Sequence, residues 1–145
     1  MSLKNLSIDQ LNPWVSELTQ GFSNRQLVRL NGDLGVGKTE FVKTVLQIMG
    51  SEEVASPTYG LIHEYQTSKR KNIFHIDLYR IDGEDDLESS GFWDLFSMNE
   101  GLIFVEWAGR IPENLYPLHW DIIDIEILKG DDPEIRSYSV VKKSP

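Results

Sequence analysis

The order of hydrophobic and polar positions along the chain already sketches a topology. Between Gln26 and Asn31, Leu27, Val28 and Leu30 form a short β-like run that stops at Gly32. Lys38 to Met49 then repeats apolar residues at helical spacing, with Phe41, Val42, Val45, Leu46 and Met49 on one stripe and Gly50 as a suitable stop. The predicted order is strand, glycine loop, helix. Upstream, a helix ends near Gly21, and two starts compete for it. One is Ser7 with Gln10 three residues on, and the other is Asn12-Pro13, with proline at the first helical position. Downstream, Tyr59 to Tyr65 and Asn72 to Tyr79 read as strands of a hairpin joined by the polar, basic Thr67-Ser-Lys-Arg-Lys71. Leu102-Ile-Phe-Val105 is continuously apolar, as in a central strand covered on both faces. Ile123, Ile125 and Ile127 alternate with Asp124 and Glu126, and a second alternating run reaches Val141 after the turn Lys129-Gly-Asp-Asp-Pro133. These predict a terminal antiparallel pair. The implied architecture is a mixed sheet flanked by helices, with a parallel α/β half and antiparallel additions.

Length and composition narrow this further. A chain of 145 residues, 40% hydrophobic and 26% charged, suits one core, and no linker or repeat divides it. One domain over residues 1–145 is expected. With 14 basic and 23 acidic residues the net charge is 14 − 23 = −9, which argues against a surface that grips nucleic acid everywhere. Any such contact is local or delegated to a partner. The absence of cysteine excludes disulfide scaffolds, zinc ribbons, iron–sulfur clusters and thiol nucleophiles, and His63, His75 and His119 fall at no metal-ligand spacing. No window approaches the roughly 18 apolar residues of a membrane span, and no signal-like segment opens the chain. A cytoplasmic protein without membrane contact is expected. Asn5-Leu6-Ser7 matches a glycosylation sequon, which without a secretion signal is a chance occurrence.

The segment that carries chemistry is Gly32-Asp33-Leu34-Gly35-Val36-Gly37-Lys38-Thr39. It satisfies G-x-x-x-x-G-K-[ST] in full and has the strand before and helix after that the chemistry needs. Backbone N–H groups from Gly35 to Thr39 curl around a β-phosphate only where side chains do not obstruct them, and the helix adds its positive dipole end. Lys38 supplies a mobile charge for the β- and γ-phosphates, and the Thr39 hydroxyl can ligate Mg²⁺. A nucleoside triphosphate with Mg²⁺ is therefore expected, the motif leaving the base open. A P-loop protein usually adds a carboxylate from the end of an apolar strand, and two candidates compete: Glu106, closing Leu102-Ile-Phe-Val-Glu106, and Asp77, closing Ile73-Phe-His-Ile-Asp77. Strand hydrophobicity favours Glu106 on the metal side, leaving Asp77 to orient or deprotonate the attacking water. The fold class is α/β, with a P-loop NTPase-like mixed sheet.

Together with the P-loop, Ser56-Pro-Thr-Tyr59, His75-Ile-Asp-Leu-Tyr-Arg80 and Val105-Glu-Trp107 resemble, in order and spacing, the motifs of the TsaE (YjeE) family. The resemblance spans about Ser7 to Val140. It implies a small P-loop ATPase, slow until assembled, that acts with the TsaB and TsaD proteins. In that assembly it supports N6-threonylcarbamoylation of adenosine 37 in tRNA, meeting tRNA only through the complex. Carried onto these positions, it makes Thr39 and Glu106 the Mg²⁺-side ligands and Asp77 a catalytic or metal-linked acid, and it puts Ser56 and Thr58 in a switch-like segment. Tyr59 and Val36 are mild variations on the family pattern. Glu40 replaces a frequent Thr and is expected to point away from phosphate.

The alternative is a P-loop small-molecule kinase, which needs an acceptor pocket and usually an arginine-bearing lid; the sequence after Gly50 shows neither an arginine-dense lid nor room for one. Arg80 and Arg110 are read as solvated or paired rather than as arginine fingers. The acidic run from Asp82 to Glu88 lacks the EF-hand pattern and is read as a solvated helix start. Lys69-Arg70-Lys71 is read as a polar hairpin tip, the one basic cluster in a position to touch tRNA.

Overall fold

The structure, a computed structural model, describes residues 2–33, 37–51, 62–70, 72–79, 84–117 and 119–143, with the side chains of 2, 3 and 84–86 left aside. A strand β1 (Ser2–Ser7) leads into helix α1 (Ile8–Gln20), and β2 (Arg25–Asn31) is followed by α2 (Lys38–Ile48). Strands β3 (Ile62–Tyr65) and β4 (Ile73–Asp77) precede the short helix α3 (Glu84–Ser89), and then come β5 (Gly101–Glu106), β6 (Asp121–Lys129) and β7 (Ile135–Lys143). All seven strands join one sheet in the order β1-β7-β6-β2-β5-β4-β3. The inner four, β6, β2, β5 and β4, run parallel, while β7, β1 and β3 are antiparallel to their neighbours. The mixed α/β architecture expected from the patterning is the one observed. Every residue of β5 is buried, as its unbroken apolar run requires.

The two starts open to α1 are decided for the earlier one. Gln10 Oε1 accepts the Ser7 N–H at 3.0 Å, so the helix begins at Ile8 and Pro13 sits inside it. Pro13 lacks the N–H that would bond to Asp9, and the helix tolerates this because Leu11 and Val15 anchor it in the core. Strand β1 was not legible in the patterning. Its six residues form a strand through pairing with β7, from Ser2 opposite Val140 to Ser7 opposite Ile135.

Alternating side chains on the sheet feed two cores. On one face, Val28, Leu30, Phe104 and Ile125 meet Phe41, Val42 and Val45 of α2 and Leu11 and Val15 of α1. On the other, Leu27, Ile76, Ile103 and Val105 meet Phe92, Phe96, Tyr116 and Trp120 from the segment between α3 and β6. Helix α2 ends against the β3–β4 hairpin. Gly50 takes φ +75°, and its carbonyl and that of Met49 accept the N–H groups of Ser68 (3.3 Å) and Lys69 (3.2 Å). That seam fixes the distance between α2 and the outer strands, so a cleft stays open above it. Arg70 is spent on structure. Its guanidinium donates to the carbonyls of Ser23 (2.5 Å), Asn24 (3.1 Å) and Gly101 (2.7 Å), at the end of the sheet away from the glycine loop. The hairpin-tip reading therefore needs amendment for Arg70, which clasps the chain where β2 and β5 begin. Lys71, like Arg80, lies outside the described residues.

One charge is buried at the middle of the sheet. Arg29 on β2, 4% exposed, donates from Nε and one terminal nitrogen to the carboxylate of Asp124 on β6 (2.5 and 2.6 Å). It donates equally to both oxygens of Glu113 (2.7 and 3.2 Å), and its plane lies 4.8 Å from the centre of the Tyr116 ring. Lys143 of β7 adds a contact to each carboxylate, at 3.1 Å to Glu113 and 3.3 Å to Asp124. The network ties β2, β6, β7 and the chain after β5 together on one face. Its hydrogen bonds hold the Glu113 carboxyl below its ordinary value of 4.5, and burial pushes Tyr116 far above the usual phenol range. Arg29→Leu, which strips both carboxylates of their buried partner, should lower the unfolding free energy in urea by about 3 kcal/mol; a loss under about 1 kcal/mol would deny the network its role. A depressed carboxylate stabilises the fold above its unfolded pKa and loses that effect as pH falls through the folded value. Glu113→Gln should therefore be less stable than the parent at pH 7, with the difference shrinking toward pH 3. Because Glu113 is largely exposed the neutral-pH difference is about 0.5 kcal/mol, read from paired urea titrations.

Candidate functional site

Three of the parallel strands end level with one another. Leu30 of β2 lies beside Glu106 of β5, and Glu106 lies beside Asp77 of β4. In a parallel sheet the carboxyl ends of the strands are where ligands bind, and the glycine loop leaves from the carboxyl end of β2. Because register partners point to the same face, Glu106 and Asp77 both look toward α2. His75 joins them two residues before Asp77, and His63, opposite His75 in the β3–β4 pair, extends the row. Facing this row, Thr39, Val42, Lys43, Leu46 and Gln47 line the near wall of a cleft of about 670 Å³.

Helix α2 opens at Gly37, whose φ of +119° is a backbone conformation that side-chain-bearing residues rarely adopt. The first helical hydrogen bond runs from the Phe41 N–H to the Gly37 carbonyl at 3.0 Å. By helix geometry the N–H groups of Lys38, Thr39 and Glu40 then have no partner within the helix and point outward from its N-terminus. This suits an anion. Lys38, 5% exposed, donates from Nζ to the Gly32 carbonyl at 2.7 Å, and the same ammonium lies 4.2 Å from the centre of the Trp107 ring. Trp107 is held in a left-handed conformation (φ 60°) directly after Glu106, and its ring packs against Tyr79 with centres 5.0 Å apart and planes tilted by 43°. Non-glycine residues in that conformation are uncommon and concentrate at functional sites.

Gly32 and Asp33 belong to a second, smaller cleft of about 390 Å³, shared with Asn31, Trp107, Arg110 and Glu126. Lys38 thus bonds into the wall of this cleft while its neighbour Thr39 lines the first. Glu40 is exposed, and its charge adds to the burial that pushes up the Tyr138 hydroxyl of β7. Leu34, Gly35, Val36, Ser56 and Thr58 lie outside the described residues.

Glu106 is almost fully buried, whereas Asp77 is exposed and its Oδ1 accepts the Tyr79 N–H at 2.9 Å. The Glu106 carbonyl accepts the Leu78 N–H at 3.1 Å, and its carboxylate Oε2 is 2.5 Å from His75 Nε2. Its charge reaches Tyr65, whose hydroxyl is pushed up first by burial and then by Glu106. The oxygen donors on this cleft, from Thr39, Glu106 and Asp77, are of the hard type that Mg²⁺ prefers. Among the described residues no three or more of His, Cys, Asp and Glu are grouped to hold a metal alone. Mg²⁺ needs no such cage, since it takes most of its shell from water and phosphate. His63 and His75 are the residues that sequence spacing did not single out for this site. For His75 the signals were its place in the His75-Ile-Asp-Leu-Tyr-Arg80 motif and the period of two that puts it on the same face as Asp77. His119 is elsewhere, with Nε2 2.8 Å from the Phe96 carbonyl.

A family model described as threonylcarbamoyl adenosine biosynthesis protein TsaE matches residues 6–137. The chain is similar to the tRNA threonylcarbamoyladenosine biosynthesis protein TsaE of Aquifex aeolicus, at 36% identity over 84% of each chain. It is also similar to that of Rickettsia felis, at 33% identity over 88% of this chain and 71% of the relative. The protein of the same name in Haemophilus influenzae is 41% identical over 60% of this chain and 57% of its own. Among solved structures, the crystal structure of YdiB from Bacillus subtilis superposes with a TM-score of 0.66 at 25% identity, covering 99% of this chain and 89% of that one. Among the described residues no helix is long and apolar enough to cross a membrane. A glycine loop at the carboxyl end of a parallel strand, a lysine and a threonine opening the next helix, and a family match across nine-tenths of the sequence establish that this chain belongs to the TsaE family, named for tRNA threonylcarbamoyladenosine biosynthesis.

Proposed function

We propose that the chain binds and hydrolyses ATP with Mg²⁺ and supports N6-threonylcarbamoylation of adenosine 37 in tRNA alongside the TsaB and TsaD proteins, without transferring the carbamoyl group itself. The observation that carries the ATPase half is the convergence of Lys38, Thr39, Asp77 and Glu106 at one end of the sheet. The half concerning tRNA rests on the names of the relatives.

The roles of the described residues follow from their placement, and those of Leu34, Gly35, Val36, Ser56 and Thr58 from the sequence motif and the resemblance. Lys38 moves its ammonium from the Gly32 carbonyl and the Trp107 face to the β- and γ-phosphate oxygens, and the N–H groups opening α2 bind the same anion. The glycine loop from Gly32 through Asp33, Leu34, Gly35 and Val36 to Gly37 wraps the phosphates, and Ser56 and Thr58 belong to a switch-like segment that responds to the γ-phosphate. Thr39 and Glu106 would hold Mg²⁺, whose chemistry is to neutralise charge on the transferring phosphoryl group. Exposed Asp77, level with Glu106 and on the same cleft, orients or deprotonates the attacking water. A cytoplasmic location, TsaB and TsaD as partners, tRNA met only through their complex and no membrane contact complete the proposal.

Lys38→Ala should bind ATP about ten- to a hundredfold more weakly and lose turnover, because a charged hydrogen bond to phosphate contributes about 1.5–3 kcal/mol. Isothermal titration with ATP and phosphate release in the presence of TsaB, TsaD and tRNA check this. Parent-like binding by a folded variant would remove the P-loop assignment. The two carboxylates are separable. Glu106→Gln should raise the Mg²⁺ concentration needed for nucleotide binding, whereas Asp77→Asn should leave binding near parental and lower turnover by about 10²–10⁴-fold. Exchanged phenotypes would make Asp77 the metal ligand. ADP formation that rises with a small acceptor without matching release of free phosphate, the phosphoryl group being found on the acceptor, and no response to TsaB, TsaD and tRNA, would favour a kinase instead.

A further inference from the structure

Glu106 is a flexible side chain with a demanding task under the proposed function, on which the following inference rests. Mg²⁺ requires near-octahedral geometry at short distances, so a carboxylate that samples several rotamers binds it poorly. The backbone of Glu106 is fixed by β2 and β4 on either side and by the Leu78 N–H on its carbonyl. None of these contacts orients the carboxylate. The described side chain that does is His75, whose Nε2 lies 2.5 Å from Glu106 Oε2, with 12% and 6% of the two side chains exposed. A carboxylate is an acceptor, so Nε2 carries the proton of this bond.

We propose that His75 is a positioning residue: it holds one oxygen of Glu106 and leaves the other directed at the metal beside Thr39. Three features of the fold make His75 suited to this. It lies opposite Phe104 in the β4–β5 pair, two residues before the level of Glu106, so the imidazole reaches diagonally along one face to the carboxylate. The ring is nearly buried, which limits competition from water for the bond. On its other side lies His63, its register partner on β3, with ring centres 6.3 Å apart and the planes tilted by 42°. The titratable groups around it on the cleft are His63, Tyr65, Asp77, Glu106 and, from α2, Lys43. Groups that orient a metal-binding carboxylate in this way typically change metal affinity by about 10–100-fold when removed.

The experiment compares His75→Phe, which keeps the ring and loses the donor, with His75→Gln, whose amide places an N–H near the position of Nε2, and with Glu106→Gln. Binding of a fluorescent ATP analogue is titrated with Mg²⁺, and the same analogue is titrated in EDTA. Thermal unfolding without Mg²⁺ reports on the fold. His75→Phe should raise the half-saturating Mg²⁺ concentration about tenfold or more and leave metal-free nucleotide affinity within about twofold, while His75→Gln should recover most of the loss. An unchanged Mg²⁺ requirement in a folded His75→Phe, with Glu106→Gln strongly affected, overturns the positioning role and leaves the metal assignment standing. An unchanged requirement in Glu106→Gln removes the metal assignment and the positioning role with it. Equal losses in His75→Phe and His75→Gln, with metal-free binding weakened in parallel, mean that His75 only supports the fold, and this too overturns the proposal.

Discussion

The register between β2, β5 and β4 is the constraint on which the rest depends. Leu30, Glu106 and Asp77 stand side by side, and the glycine loop departs one step further along β2. Side chains alternate along a strand, so a slip of one residue between β5 and its neighbours would turn Glu106 into the opposite core and Val105 toward α2. The same slip would separate Glu106 from His75, whose reach is set by the β4–β5 pairing. The chemistry therefore lives in a handful of polar side chains, while their relative position is decided by the apolar ones. Phe104 and Leu30 bury on the α2 side, and Ile103 and Val105 on the other, and the two cores hold the sheet to one alignment.

Polar contacts far from the cleft reinforce that alignment. Arg29 binds Asp124, its register partner on β6, and Glu113 beyond β5, so β2 cannot move past β6 without leaving buried charge unpaired. At the opposite end of the sheet, Arg70 draws together carbonyls from the approaches to β2 and β5. The outer strands are positioned by the seam between the end of α2 and the residues after β3, which sets the width of the cleft. Lys38 is held at the mouth of the glycine loop by the Gly32 carbonyl and the Trp107 face.

Much of this was legible in the amino-acid sequence, for reasons that differ from element to element. The P-loop is a local motif whose residue types are demanded by backbone conformation, as the left-handed Gly37 illustrates. Strands β5, β6 and β7 announce themselves because apolar runs and strict alternation are the direct imprint of burial on two faces or one. Strand β1 left no such imprint, since Leu3 and Leu6 do not alternate and its partner lies at the far end of the chain. The Arg29 network was invisible for a related reason, its carboxylates standing 84 and 95 residues away. His75 and Glu106, 31 residues apart, could each be placed on a strand but not joined, because only the β4–β5 register brings them into contact. Sequence could rank Glu106 above Asp77 by strand hydrophobicity, and the burial of one and exposure of the other follow the same order.

The most direct test of the central claim, that the carboxyl end of this sheet is a nucleotide and metal site, is a crystal structure of the chain with a non-hydrolysable ATP analogue and Mn²⁺ in place of Mg²⁺. The account predicts an anomalous peak bonded to the Thr39 hydroxyl and one oxygen of Glu106. It also predicts the Lys38 ammonium on phosphate rather than on the Gly32 carbonyl. Phosphates bound away from the N-terminus of α2, or a metal held by neither Thr39 nor Glu106, would contradict it.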